Sequence, residues 1–441
     1  MQINRGTFKK GIHPPYNKQF TDKLPIDVMP APKEVVLPMS MHIGAPCTPI
    51  VEAGQYVHAG EIVGKAEAFV SANVHASVSG TVKAVERRLT ASGRKEMCVV
   101  IENDFKDDFT DQIDKHDPEK LTTEDIIELI SQAGTVGLGG ATFPTKVKLL
   151  PPKDAKIDYI IINGAECEPY LTSDHALMRQ TPEKVIGGLK ILMKVLGLEK
   201  GYIGIEDNKP DAIDAITNAA DDSIEIYSLE TKYPQGSEKH LITAITGREV
   251  PSGALPAAAG CIVSNAATAA AVYDAVTEGI PVIERVITVT GSGIKTPKVL
   301  KFRIGTSVAE IIEFCGGLTD DIAKVILGGP MMGPALFDTN VPAIKGSSGI
   351  LCLNAKDAYI EQPSNCIKCA KCTTVCPMGL MPLYIGAYSD QRRFDKCEEY
   401  NALDCIECGC CAFTCPARRP LVAEIRIAKK EINDLKRKNN A

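Results

Sequence analysis

The sequence predicts a multidomain chain that joins an all-β unit, an α/β domain, a small α+β unit and a mostly helical, cysteine-rich module. Three observations carry this. Short β-type runs broken by Gly-centred turns fill residues 35–102, and strand and helix patterns alternate from 122 to 277. Sixteen cysteines include two copies of one spacing beyond residue 365. At 441 residues the chain is long enough for about three domains of ordinary size. With 44% hydrophobic and 24% charged residues it falls in the soluble globular range. No apolar run reaches the roughly 18 residues of a membrane span, and the N-terminus lacks the apolar core of a secretory signal. A net charge of -6 argues against a general nucleic-acid binder, which needs a basic face. A cytosolic setting is expected, where clustered cysteines bind metal or do redox chemistry more often than they form disulfides.

Residues 1–30, rich in Pro and Lys, read as an extended arm. Residues 31–105 carry paired G-x-x-V phrases (Gly54 to Val57, Gly60 to Val63) and then VHASVSGTV, the pattern of a small sandwich of two similar halves. The unit resembles the barrel-sandwich hybrid fold of lipoyl and biotinyl carriers. Its turn Ser71-Ala72-Asn73-Val74 has no carrier Lys, so a structural role is expected. A charged linker over 103–120 leads into the α/β domain, taken as 106–284. There Thr122–Ala133 is a helix opening on a Thr-x-x-Asp cap. Ile157–Ile162, Tyr202–Ile205 and Ile224–Leu229 read as strands. Pro182–Leu196, Asp211–Ala220, Ser237–Thr246 and Ala266–Thr277 read as helices, and the alternation implies a sheet covered by helices. Residues 285–345 read as strands around one helix.

Residues 346–441 hold the firmest signal. Cys366-x-x-Cys369-x-x-Cys372-x-x-x-Cys376-Pro377 returns as Cys405-x-x-Cys408-x-x-Cys411-x-x-x-Cys415-Pro416. Three thiolates at three-residue spacing take three corners of a [4Fe–4S] cube, and in two-cluster proteins the fourth ligand comes from the distal Cys of the other motif. The expected sets are Cys366, Cys369, Cys372 and Cys415 for one cluster, and Cys405, Cys408, Cys411 and Cys376 for the other. Zinc sites pair two C-x-x-C units and have no use for a third Cys in step. The long stretch between motifs, with a helix near Pro382–Asp390, favours a mostly helical ferredoxin-like module. Leu421, Ile425, Ala428, Ile432 and Leu435 fall on one helical face among Lys and Arg. That stripe suits either a closing helix or contact with lipid headgroups.

A second signal is Gly137-Leu138-Gly139-Gly140-Ala141-Thr142-Phe143-Pro144-Thr145-x-x-Lys148. Close-set glycines let backbone N–H groups approach a phosphate, and a nearby Lys neutralises it. The loop follows a helix, which excludes a dinucleotide-fold fingerprint, and Lys148 lacks the Ser or Thr of a P-loop. Strand 157–162 runs into Asn163-Gly164-Ala165-Glu166-Cys167-Glu168, which puts two carboxylates past a strand end, where α/β sheets bind ligands.

With Tyr233-Pro234-Gln235-Gly236-Ser237-Glu238 and Ser264-Asn265, these phrases resemble the FMN- and NADH-binding subunit of respiratory complex I over residues 120–345. Residues 285–345 then resemble its soluble-ligand-binding β-grasp domain. The resemblance implies that Gly137, Gly139, Gly140 and Lys148 hold the phosphate and ribityl oxygens of non-covalent FMN. Asn163, Glu166, Tyr233, Gly236 and Asn265 would line the flavin, Phe143 would stack on the nicotinamide side, and Glu168 and Glu238 would accept hydrogen bonds from NADH. The family's Arg and Asp stand here as Leu138 and Ala165.

The arm motif Thr7-Phe8-Lys9-Lys10-Gly11-Ile12-His13-Pro14-Pro15, with Lys10 where the family has a second Gly, completes a domain order similar to the C subunits of Rnf electron-transport complexes. This implies a peripheral subunit on the cytoplasmic face of the cell membrane, partnered by the other Rnf subunits and by ferredoxin through the complex. The activity implied is ferredoxin:NAD+ oxidoreduction coupled to Na+ or H+ translocation, with two [4Fe–4S] clusters and FMN as cofactors and NAD(H) as substrate. Beyond these cofactors no catalytic side chain is implied. Two alternatives are a wiring adaptor with a vestigial flavin domain, and an NADH-dependent reductase of another acceptor, similar to cobalamin reductases.

Overall fold

The computed structural model describes residues 3–110, 114–152 and 154–440; residues 111–113 of the expected charged linker lie outside them. The central element is a five-stranded, wholly parallel sheet. Its spatial order is Asn4–Gly6, Ile224–Leu229, Gly201–Glu206, Tyr159–Gly164 and Cys261–Asn265. Parallel strands are buried on both faces, which is why Ile160, Ile161 and Ile162 follow one another without a polar break. Ile160 and Ile162 pack with Leu189, Ile213 and Ala269 of three helices, Pro182–Leu196, Pro210–Ala219 and Ala266–Tyr273. Ile161 faces the other way, onto Leu241 and Ile242 of helix Glu238–Thr246. Helix Thr123–Gln132 opens on a capping box between Thr122 and Asp125, as the Thr-x-x-Asp phrase predicts.

Two elements of this domain escape the sequence pattern. Strand Cys261–Asn265 runs straight into its helix with no turn residues between, so the two read as one apolar stretch. Helix Ser173–Gln180 is mostly polar and shows no clear apolar period.

The N-terminal unit is a sandwich. Strands Glu34–Pro38, Lys95–Asn103, Gly80–Leu89 and Tyr56–Val57 form one sheet; Thr48–Pro49, Ile62–Lys65 and Val74–His75 form the other. Its core of Val35, Leu37, Val63, Val82 and Ile101 continues into Leu138 and Ala267 of the α/β domain, so the two units share apolar packing. The small α+β unit is a second five-stranded sheet, ordered Ile322–Leu327, Gly349–Asn354, Glu284–Thr290, Lys298–Arg303 and Ile26–Val28, with helix Val308–Phe314. Strand Gly349–Asn354 lies beyond the sequence boundary at 345. Its short run, Gly-Ile-Leu-Cys-Leu-Asn, sits beside the cysteine motifs and reads as part of their module.

The arm is not a free extension. It adds Asn4–Gly6 to the edge of the parallel sheet and Ile26–Val28 to the edge of the second sheet, so one segment joins two domains. The C-terminal module is helical, with Pro382–Asp390, Phe394–Glu399 and Leu421–Asn440 as its main elements. Leu421, Ile425, Ala428 and Ile432 are buried in it. Four residues of the apolar stripe therefore close the module, whereas the fifth, Leu435, is exposed.

The tightest helix crossing is at Gly188, where an added Cβ would lie 1.8 Å from the Ala269 carbonyl oxygen. Gly188→Ala should lower the unfolding free energy by about 1–3 kcal/mol, the usual cost of overpacking. A thermal unfolding midpoint equal to wild type would contradict the close approach.

Candidate functional site

The cysteine repeat closes on two cavities. Cys366, Cys369, Cys372 and Cys415 line one with Leu383 and Leu421; Cys376, Cys405, Cys408 and Cys411 line the other with Leu380 and Ile425, and Cys410 lines it too. Each set takes three thiols from one loop and one from the distal position of the other loop. The two loops share a backbone trace. Lys368 and Glu407 both hold φ 57, and Ala370 and Gly409 hold φ 60 and 84. Left-handed residues on either side of the middle Cys curl each loop into a cup. Lys368 N–H then donates to Cys366 Sγ, and Glu407 N–H to Cys405 Sγ, both at 3.4 Å. Among the described residues no group of three or more His, Cys, Asp or Glu is spaced for a single metal ion; each set of four sulfurs surrounds a space. Four thiols around an apolar cup fit an iron–sulfur cube. Cys366 and Cys369 are exposed, whereas Cys376, Cys408 and Cys411 are buried, which makes the first set outer and the second inner.

The glycine loop is closed by Gly137 N–H donating to the Phe143 carbonyl (2.8 Å), with Phe143 half-buried beside it. Gly139 and Gly140 stand exposed at its tip. Gly140 holds φ 96, and a Cβ on Gly139 would lie 2.6 Å from the Asn265 amide nitrogen. The loop thus lies directly on the end of strand Cys261–Asn265. Asn265 caps the next helix by accepting Ala267 N–H (2.9 Å) and donates to Asp174 (2.6 Å). Lys148 Nζ donates to the Val263 carbonyl (3.0 Å) and to Glu238 Oε1 (2.5 Å). Asn163 donates to the Gly236 carbonyl (2.7 Å). Gly137, Gly139, Gly140, Phe143, Lys148, Asn163, Gly236, Glu238 and Asn265 therefore gather at the carboxyl ends of the parallel strands, the usual ligand site of such sheets. Next to Gly236, Gln235 is fully buried and neither polar atom of its amide has a partner. An orphaned donor and acceptor, an open glycine tip and an ammonium group fit a ligand with a phosphate and a hydrogen-bonding ring, as FMN has.

Leu138 and Ala165 are both absorbed by the core. The Leu138 side chain is buried, its N–H donates to Thr268 Oγ1 (2.8 Å), and its carbonyl accepts from Arg285. Ala165 is buried and its carbonyl takes Lys209 Nζ (2.7 Å).

The remaining three residues point elsewhere. Glu166, at φ 47, accepts the N–H groups of Asp174 (2.8 Å) and His175 (3.1 Å). Its carboxylate thereby caps helix Ser173–Gln180, where negative charge is favoured. Glu168 turns toward the second sheet's loop, and its Oε2 accepts Met331 N–H (3.1 Å) beneath Gly329. Burial pushes its carboxyl up to about 7. The Tyr233 hydroxyl is buried beside the Glu168 carboxyl. Tyr233 is 1% exposed, and burial drives its phenol upward.

Tyr233 leads to a feature with no local sequence signal. Ile12 and Tyr233 exchange both backbone N–H···O bonds at 2.9 Å. The Cys410 thiol donates to the Tyr233 carbonyl (3.9 Å), and Gly11 N–H donates to the Val375 carbonyl (3.1 Å). Ile12, Cys167, Tyr233, Cys408 and Cys410 form one buried cluster, so the loops beside the glycine site pack directly on the inner cysteine loop. Lys18, also buried, donates to the carbonyls of Glu166 (2.8 Å), Glu168 (3.0 Å) and Leu171 (2.5 Å). Ile12, Lys18, Cys167 and Cys410 were not legible as site residues, since each acts through a tertiary contact.

Comparison with known proteins gives four domain matches. These are the FMN-binding domain of Nuo51 over 130–274, the RnfC barrel sandwich hybrid domain over 6–106, the SLBB domain over 286–335 and a 4Fe-4S dicluster domain over 358–416. The C subunit of the Na(+)-translocating ferredoxin:NAD(+) oxidoreductase complex of Acetobacterium woodii is 54% identical over 443 residues, covering 100% of both chains. Its counterpart in the proton-translocating ferredoxin:NAD(+) oxidoreductase complex of Clostridium ljungdahlii is 46% identical over 428 residues, covering 96% of this chain and 94% of that one. An NAD+-reducing [NiFe]-hydrogenase in its H2-reduced state shares the fold at a TM-score of 0.51 and 17% identity, over 72% of this chain and 63% of that chain. Among the described residues no helix is long and apolar enough to cross a membrane.

Glu168 makes stability pH-dependent in a defined sense. The folded chain keeps this proton up to about pH 7, whereas the unfolded chain loses it near 4.5. Stability should therefore fall as pH rises through that window, by about 2 kcal/mol after allowing for residual exposure. Glu168→Gln should flatten this part of the profile of unfolding midpoint against pH; an unchanged slope would contradict the buried, protonated carboxyl.

Proposed function

The chain belongs to the family of C subunits of ion-translocating ferredoxin:NAD(+) oxidoreductase complexes, and from that premise we propose that it passes electrons between two [4Fe–4S] clusters, FMN and NAD(H). FMN, when bound, converts between the hydride that NAD exchanges and the single electrons that clusters carry. The observation that carries the reading is the direct packing of Cys167 and Tyr233 on Cys408 and Cys410. Cys167 also accepts Gly236 N–H (3.2 Å), so one buried cluster adjoins both the candidate flavin site and the inner set.

The chain's own residues hold and orient. Gly137, Gly139 and Gly140 offer backbone to the flavin phosphate and ribityl oxygens, with Lys148 supplying the charge. Asn163, Gly236 and Asn265 line the ring. Phe143 and Glu238 serve the nicotinamide side, where Glu238 already holds Lys148. Glu166 acts one step back, by fixing the helix that places Asp174 against Asn265. Glu168 and Tyr233 belong on the side of the pocket that meets the clusters. The inner set, Cys376, Cys405, Cys408 and Cys411, would hold the cluster that faces the flavin site. The outer set, Cys366, Cys369, Cys372 and Cys415, with two exposed cysteines, is the port for the other subunits. The coupling ion crosses through those partners, and this subunit sits peripherally on the cytoplasmic face, where NAD(H) and ferredoxin are found.

Chain purified without oxygen and supplied with FMN should show flavin and cluster bands bleaching together when NADH is added. Lys148→Ala should weaken FMN binding by about tenfold to a hundredfold, the loss of one charge-assisted hydrogen bond. Clusters reduced by dithionite but not by NADH, with no FMN retained, would replace this reading with the wiring adaptor.

A further inference from the structure

We propose that Lys10 is an electrostatic tuning residue for the inner cluster, its ammonium favouring the reduced form. The inference rests on the two-cluster reading above. Lys10 lies where the arm docks on the loop around Cys376. Gly11 N–H donates to the carbonyl of Val375 (3.1 Å), the residue before Cys376, and the Cys376 carbonyl takes Gly379 N–H (3.0 Å). Backbone bonds therefore hold arm and ligand loop in register. Lys10 itself adopts φ 65, a left-handed conformation that is unfavourable for a non-glycine residue. The docked backbone, not the lysine's own preference, sets this conformation and with it the direction in which the side chain leaves.

That direction is over the ligand loop. Lys10 Nζ stands 3.9 Å from where a Cβ on Gly379 would lie, three residues past Cys376. Two other cations beside the inner set, Lys429 and Arg426, share one carboxylate. Lys429 donates to the Cys405 carbonyl (2.8 Å) but is paired with Glu407 (2.5 Å), which also takes Arg426 (2.7 Å). Lys10 has no ion pair among the described residues. Reduction adds one negative charge to a cluster, so an uncompensated cation nearby stabilises the reduced form. Lys10 is exposed, and salt should therefore weaken the effect.

The test is an EPR-monitored redox titration of the full chain carrying both clusters, at low and high salt, for wild type, Lys10→Gln and Lys10→Arg. In low salt Lys10→Gln should reduce the ratio of reduced to oxidised inner cluster about threefold at a fixed potential, about 28 mV at 59 mV per tenfold for one electron. Lys10→Arg should match wild type, the outer cluster should not move, and about 1 M salt should erase most of the difference. The shifted signal should be the one that Cys411→Ser abolishes. Equal shifts in Lys10→Gln and Lys10→Arg would assign the effect to arm docking and overturn the proposal. A shift of the signal abolished by Cys366→Ser, or no shift in Lys10→Gln, would also overturn it. Two cluster signals without a shift count against this inference alone, whereas absence of two cluster signals counts against the reading beneath it.

Discussion

Everything else in this molecule is arranged around the buried contact at Tyr233. Its backbone pairs with Ile12, its carbonyl takes the Cys410 thiol, and two residues later the chain forms the orphaned Gln235 and Gly236 of the glycine-loop pocket. One short segment thus touches the pocket on one side and the inner cysteine loop on the other. Electron transfer over such distances needs packed matter rather than water between the partners. A linker-joined pair of domains could not hold that spacing, because relative motion is the default where few apolar contacts cross.

The arm and the second sheet supply the rigidity. The arm is tied at both ends, by Asn4–Gly6 on one sheet and Ile26–Val28 on another, and it crosses the junction in between. Lys18 follows on the same segment and binds three carbonyls of the loop from Glu166 to Leu171. A buried lysine is costly unless fully hydrogen-bonded, and here that requirement fixes the loop's shape. Lys209 does the same for the Ala165 carbonyl, and Lys345 binds the carbonyls of Asn73 and Gly134. From the opposite side the loop at Gly329–Met331 covers Glu168, and Met331 reaches Gly409 of the inner cysteine loop. Three units converge on one small volume.

What was legible in the sequence is what chemistry writes locally. Each four-cysteine motif, the glycines followed by Lys148 and the Thr122–Asp125 cap lie within a dozen residues. The triple-isoleucine strand was legible for the same reason, since burial on both faces removes polar residues. The rest depends on partners distant in sequence. Nothing in Thr7–Pro15 states that Ile12 will pair with Tyr233. The strand Gly349–Asn354 took its assignment from neighbouring cysteines, although its apolar run belongs to another sheet. The Glu166 and Glu168 phrase pointed to carboxylates at a strand end, but not to one capping a helix and the other buried under Gly329. Leu138 and Ala165 stand where the family has Arg and Asp; in the fold their carbonyls are held by Arg285 and Lys209.

The central claim is that the inner cysteine set is the one in electronic contact with the pocket. Rapid mixing of NADH with two FMN-loaded variants, each lacking one cluster, tests it most directly. With Cys369→Ser, which removes the outer cluster, the remaining cluster should be reduced as fast as in wild type. With Cys411→Ser, which removes the inner one, the remaining cluster should be reduced far more slowly although the flavin still bleaches. Equal cluster reduction rates in the two variants would contradict the account.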